Sequence, residues 1–360
     1  MPGLERWEEI RPRLEGYWNH EVVDRCCVSI TAPRAGAPGK AGGFAPQTDE
    51  EWQKWYMDGE ILLNRWRAQN EHTVYLGDAL PCVFPNFGTA GQTQYVPGNK
   101  CKFSRDTVWF EASVEDWADQ HSFFDEHHPL YRQEIETLSY LCEHLQGQAM
   151  VAFPDNCGIL DGLAHLRGSE RLLLDMVERP EVLDAMVERA IKAYFQSAEV
   201  LFGLIEKADM GGSMHAWMHT WCPGRHAQMQ ADCSVMISPD MYERFVMPEL
   251  RALTHWLDHS IYHLDGQEQI RHLDLLLSLD ELDAIQWTPV AGQPRTSEFI
   301  PVFQHIQRAG KGLVLIPQMD EIEPLLDALS PEALMLVVNA PDEESGREVL
   351  RLVERKTGRG

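Results

Sequence analysis

The chain has 360 residues, more than the roughly 100–200 usual for one domain but within the range of barrels built from alternating strands and helices. Its 56 acidic and 31 basic residues give a formal charge of −25, which disfavours phosphate backbones and anionic lipid surfaces as partners. A small molecule is the expected ligand. No apolar run approaches the roughly 20 residues that span a bilayer, and Met1–Ile10 lacks the apolar centre of a signal peptide. The expected location is cytoplasmic. The eight cysteines, with no CxxC pair among them, then read as core residues or thiols, not disulfides.

In chain order, short apolar runs alternate with loops and helical stretches. The predicted strands are Cys26–Thr31, Val74–Tyr75, Met150–Phe153, Ala208–Gly212, Ser260–Leu264, Ala284–Trp287, Leu313–Ile316 and Leu334–Val338. Val83–Phe84 either belongs to the second or follows it. Several runs lack polar alternation, as strands covered on both faces should. Helical spacing occupies Glu170–Glu178, Pro180–Phe202, Pro239–Leu257 and Ile270–Leu277. Ser238-Pro239 and Ser330-Pro331 have the composition of helix starts. Ala35–Thr48 reads as a Gly/Pro-rich loop, and Thr89–Asp125 as an excursion able to cover the barrel mouth. About eight strand–helix units with no GxGxxG after the first strand predict a single (β/α)8 barrel over residues 1–360, with an irregular N-terminal region.

In such a barrel, residues just after each strand share one mouth. They include Arg34, Asn86, Asp155, His215, His263, Asp265, Gln286 and Trp287. Along Tyr262-His-Leu-Asp-Gly266, His263 and Asp265 fall on one side of the strand. That pair suits either acid/base work or metal ligation. His215, His219 and Cys222 lie within one or two helical turns, and a zinc site drawn from His215, Cys222 and His263 is chemically sensible. Arg34 is a candidate grip for a substrate carboxylate, and Trp217, Trp221 and Trp287 are candidate aromatic walls. Asp161, opening a helix, reads as a cap.

Four stretches carry a family likeness. They are Val151–Asp161 with Leu166-Arg167-Gly168, Met236–Tyr242 leading to Phe245–Glu249, Tyr262–Gly266, and Ala284–Trp287. Through them the chain resembles the uroporphyrinogen decarboxylase superfamily, whose fold is a (β/α)8 barrel. Asn86 stands where the decarboxylase has an acid, and Val338-Asn339-Ala340 lacks its His, so the likeness is closer to the corrinoid-dependent methyltransferase branch. That branch implies a methyl group moved from a small methylated compound to a corrinoid protein, with zinc assistance. Asp265 replaces a thiolate of the branch's zinc site, so the site is either rebuilt with His215 or Cys222 or holds no metal. On this reading His263 and Asp265 activate the donor, while Arg34, Asn86, Asp155, Gln286 and Trp287 orient it. The alternatives are decarboxylation of a small or tetrapyrrole carboxylic acid and a non-catalytic ligand-binding barrel.

Overall fold

The computed structural model describes residues 3–36, 45–88, 91–155 and 157–358. Asn156, the first two residues of the Thr89–Asp125 tract and most of the Ala35–Thr48 loop lie outside them. In chain order the first strands are β1 (Cys27–Pro33), β2 (Thr73–Gly77), β3 (Cys82–Val83), β4 (Lys100–Phe103), β5 (Val108–Glu111) and β6 (Met150–Val151). There follow β7 (Gly212–His215), β8 (Thr220–Pro223), β9 (His226–Met229) and β10 (His259–Asp265). The last are β11 (Ala284–Thr288), β12 (Gly312–Leu315) and β13 (Leu334–Asn339).

Seven strands form one sheet in the order β2-β1-β13-β12-β11-β10-β9. All its pairings are parallel except that of β2, which runs antiparallel along β1. β3 and β6 form a separate parallel pair, and β4–β5 and β7–β8 are antiparallel hairpins. A backbone bond from Phe153 N to Met214 O, 3.1 Å, joins the end of β6 to β7. The molecule is an α/β protein with a mostly parallel central sheet. No described helix is long and apolar enough to cross a membrane, and the eight cysteines are all free.

The apolar runs form buried strands because both faces of the sheet are covered. Tyr262, Leu264, Ile285, Trp287, Leu313 and Leu336 pack outward into the main core. Their alternates Ile261, Ala284, Val314, Met335 and Val337 face a second, inner cluster. From one end the helix Trp7–Trp18 closes that cluster with Ile10, Leu14, Tyr17 and Trp18. Trp18 donates its indole N–H to Trp221 O at 2.8 Å. The β7–β8 hairpin folds into the same cluster through Met214, Met218, Trp221 and Cys222. The open end of the interior is therefore the end where the strands finish.

Several boundaries differ from the sequence expectation. Ala208–Gly211 is a turn, and the strand begins at Gly212. The strand that pairs with β10 on the side away from β11 is β9, which was not among the expected strands, and His215 and Cys222, noted for their helical spacing, lie in strands β7 and β8. Val83 follows the second run as a strand of its own, β3. The helix over Pro239–Leu257 divides into Pro239–Phe245 and Met247–Trp256. Pro248 lacks the N–H that would continue the first helix. Ser238 caps it as expected, accepting from Met241 N at 3.2 Å. Ser330-Pro331 starts no helix, because only two residues separate it from β13. The described part of the Thr89–Asp125 excursion carries β4, β5 and the turn Trp117–Asp119, which pack on the helices Asp49–Met57 and Ile159–Arg167. Ser113 N and Val114 N both donate to Leu166 O, each at 2.9 Å.

Candidate active site

The polar groups at the strand ends follow from alternation along β9, β10 and β11. In the parallel register His263 lies beside Gln286 and Asp265 beside Thr288, all on the inward face that begins with Ile261 and Ala284. Gln286 is fully buried. Its amide nitrogen donates to Trp287 O at 2.6 Å and to Thr288 Oγ1 at 2.9 Å. A carbonyl can only accept, so the amide is oriented with Oε1 towards the imidazole, where it pairs with His263 Nδ1. The neutral ring therefore carries its proton on Nδ1 and leaves Nε2 as the basic atom. Burial pulls the His263 pKa below its ordinary value, opposed by Gln286 and then by Asp265.

β9 and its continuation supply a second row. His226, Gln228, Gln230 and Asp232 alternate with the small or apolar Ala227, Met229 and Ala231, and the polar set shares one side. Gln228 Nε2 donates to Asp155 Oδ1 at 2.7 Å and to Gln230 Oε1 at 2.8 Å. Gln230 Nε2 donates onward to Asp232 Oδ2 at 3.0 Å. Asp232 is exposed, on a recess that it lines with Asp161, His165 and Cys233, and protein surrounds its other sides. That surrounding protein, and then the charges of Asp161, Asp265 and Asp155, push its carboxyl up to about 7. Asp161 does cap, though not its own helix: its two oxygens accept from Asp232 N and Cys233 N, both at 2.8 Å. It fixes the turn that presents Asp232.

The approach is through a cavity of about 770 Å³ between the ends of β1, β2, β3 and β13 and the helix Gly59–Glu71. The tip of the β7–β8 hairpin forms one wall with Trp217 and His219. His219 sits at φ +54°, a left-handed conformation unusual for a side-chain-bearing residue. Its ring is held there by a hydrogen bond between Nδ1 and Ser29 Oγ. Trp217 lies edge-on to His215 and to His263, with ring centroids 5.1 and 5.2 Å away. It stands between the cavity and the inner histidines. His215 and His219 are both held neutral by burial, His215 well below its ordinary range and His219 at about 4.

The structure thus brings His263, Asp265, Gln286, His215 and Asp155 into one neighbourhood and leaves other expected residues outside it. Arg34 is exposed and donates to the backbone carbonyls of Glu71 and Thr73 at 3.1 and 2.9 Å, tying β1 to β2. Trp287 alternates to the outward face and packs on Phe299 and Phe303, with centroids 4.5 and 6.0 Å away. Trp221 is a buried member of the inner cluster. Asn86 lines the cavity, its Oδ1 accepting from Gly88 N at 2.9 Å.

Cys222 is fully buried and lies opposite Ser213 in the hairpin. Its thiol is raised by burial and then by Asp258 and Asp283, which precede β10 and β11 at the end opposite to Asp265. The trio His263, His215 and Cys222 therefore does not converge. Among the described residues no three His, Cys, Asp or Glu side chains gather as a metal-ligand set. Gln228 and Gln230 were absent from the sequence expectation. The signal for them is the period-two run from His226 to Asp232, which marks a strand.

An α/β fold with a mostly parallel sheet and a polar pocket at its strand ends is the class of protein these observations define. No family model matches the chain, and neither does any curated protein. Solved structures do. A methyltransferase from Methanosarcina mazei superposes with a TM-score of 0.62 over 96% of this chain and 98% of its own, at 12% identity. A B12-independent methionine synthase from Shewanella sp. W3-18-1, solved in complex with selenomethionine, gives a TM-score of 0.47 at 11% identity, covering 86% and 87%. The first likeness is one of fold along almost the whole of both chains.

Proposed function

We propose that this chain is a methyltransferase that removes a methyl group from a small methylated compound by protonating the leaving heteroatom. Its sheet and helices are read as a (β/α)8 barrel whose mouth is the pocket described above. The observation that carries the reading is a carboxyl, Asp232, held up to about 7 and sharing the neighbour Asp265 with the neutral imidazole of His263. Two titratable groups pushed to different protonation states around one shared carboxylate are what acid/base chemistry requires. The full-length likeness to a methyltransferase supports the choice of group transferred.

In the proposed reaction the bond between methyl carbon and heteroatom breaks. The heteroatom leaves with the electron pair and takes a proton from Asp232. The methyl group passes to a nucleophile offered at the mouth. A corrinoid on a partner protein would supply that nucleophile, and the exposed side of Asp232 faces the solvent from which a carrier could approach. His263 Nε2 would orient the donor. The proposed reaction does not use Cys222, which lies at the opposite end of the strands from Asp265. Decarboxylation loses its proposed grip, because Arg34 is committed to backbone carbonyls.

The test is to mix the protein with Co(I) cobalamin and a panel of methylated amines, ethers and thioethers, and to follow methylcobalamin by absorbance. The expected outcome is methylation by at least one donor, lowered about 10²-fold in His263→Ala, in line with the loss of the group that positions the donor. Absence of transfer from the whole panel, or full activity in His263→Ala, would overturn the mechanism.

A further inference from the structure

The cavity that leads to the strand ends has a composition at odds with the rest of the chain. One residue in six or seven of the whole sequence is acidic, 56 of 360, yet none of the 20 residues lining this cavity is Asp or Glu. Its charged side chain is Arg65, on the helix Gly59–Glu71. The guanidinium is held in place. Its Cζ lies 3.9 Å from the ring centroid of Trp55, and Nη1 donates to Trp55 O at 2.6 Å. No carboxylate among the described residues forms an ion pair with it. Burial lowers its pKa from the ordinary value and only Tyr56 opposes that shift, which fits a cation without an acidic neighbour.

The remaining walls are flat and apolar with a few neutral polar groups. Trp66, Trp217 and Tyr75 supply rings, while Asn86 and Asn339 supply amides. In a protein of charge −25 an anion is repelled almost everywhere, so an acid-free recess with a fixed guanidinium is where one could settle. A guanidinium whose one edge is already used still offers N–H donors to a carboxylate.

We propose that this cavity binds the anionic end of a flat organic carboxylate, with Arg65 as its anchor and the rings of Trp66 and Trp217 against its apolar body. The inference rests on the methyl-transfer reading only for what happens beyond Trp217: the carboxylate is the handle, and the group to be transferred points towards His263. Binding itself does not depend on turnover. Arg65 touches none of the proton-carrying groups, so anchoring and chemistry separate experimentally.

The test is titration calorimetry of the full chain with benzoate and with benzamide, which has nearly the same shape and no charge. Wild type is expected to bind benzoate at least tenfold more tightly than benzamide, with the preference weakening as salt rises. In Arg65→Met the benzoate affinity should fall to that of benzamide, whose own affinity stays unchanged. Arg65→Lys should keep a partial preference, and unchanged circular dichroism shows both variants folded. Equal binding of the two probes by wild type, undetectable binding of benzoate, or a full benzoate preference retained in Arg65→Met would each overturn the proposal. Benzoate binding without methyl transfer from any donor would leave the anchor standing and remove the reaction assigned above.

Discussion

At the scale of single residues, function in this site depends on where protons rest. His263 is kept neutral with Nδ1 committed to Gln286, and Asp232 is kept protonated to about 7 by the protein and carboxylates around it. The sign of the pH dependence follows. Asp232 can donate below about 7 and loses its proton above it, so the transfer rate should decline as pH rises through 7. Asp232→Asn cannot donate and should show a lower rate without that alkaline decline; a pH–rate profile of both proteins would check this. Stability moves the same way, because a carboxyl raised in the folded state favours folding at low pH and loses that contribution as pH rises through 7. Asp232→Asn should therefore unfold at a denaturant concentration less dependent on pH between 5 and 8 than wild type.

At the scale of elements, one close approach positions the row from Gln228 to Asp232. A Cβ on Gly158 would lie 2.0 Å from Gln230 O and 3.1 Å from Asp161 Oδ2. The backbone before the helix Ile159–Arg167 can thus lie against the end of β9 only because no side chain intervenes. Gly158→Ala should push Gln230 and Asp232 away from Asp161, costing about 1–3 kcal/mol as overpacking does. Activity should fall further than stability alone explains. Urea unfolding together with initial rates at a temperature where the variant is fully folded would separate the two effects. Activity equal to wild type in a destabilised variant would show that Asp232 does not need this placement.

At the scale of the whole molecule, the end of the interior opposite the mouth is sealed by a buried charge cluster. Asp78 accepts from Arg13 Nε at 2.6 Å, from Arg25 Nη1 and Nη2 at 2.6 and 3.0 Å, and from Val28 N at 2.9 Å. The arrangement joins the N-terminal helix, the start of β1 and the turn after β2, which are far apart in sequence. Removing the charge leaves buried Arg25 without an acid and Arg13 with only the exposed Asp24 and Glu9, at 3.1 and 3.3 Å, so Asp78→Asn should cost about 3–5 kcal/mol, the usual range for breaking a buried pair. The measurement is the unfolding free energy in urea; a loss under 1 kcal/mol would mean the helix is held by its apolar face alone. The mouth is far from this seal, so the rate per folded molecule should stay near wild type.

What the sequence determined by itself were features written in local pattern. The largely apolar runs Ala284–Trp287, Leu313–Ile316 and Leu334–Val338 specify buried parallel strands, found at Ala284–Thr288, Gly312–Leu315 and Leu334–Asn339, and two-residue alternation places His263 and Asp265 on one face whatever surrounds them. The same alternation from His226 to Asp232 was equally legible, but a run this short and polar gives no apolar core face from which to predict a strand until its partner is known. Only the tertiary structure decided which strand neighbours which, and hence that Gln286 meets His263 and that Trp287 faces away. It also decided that the β7–β8 hairpin folds into the interior, which sends Cys222 to one end and Trp217 to the other. Register and enclosure arise from contacts between residues tens to hundreds of positions apart, and a pKa such as that of Asp232 is a property of those contacts. A local pattern shows which side a residue faces, whereas the assembled fold supplies what it faces.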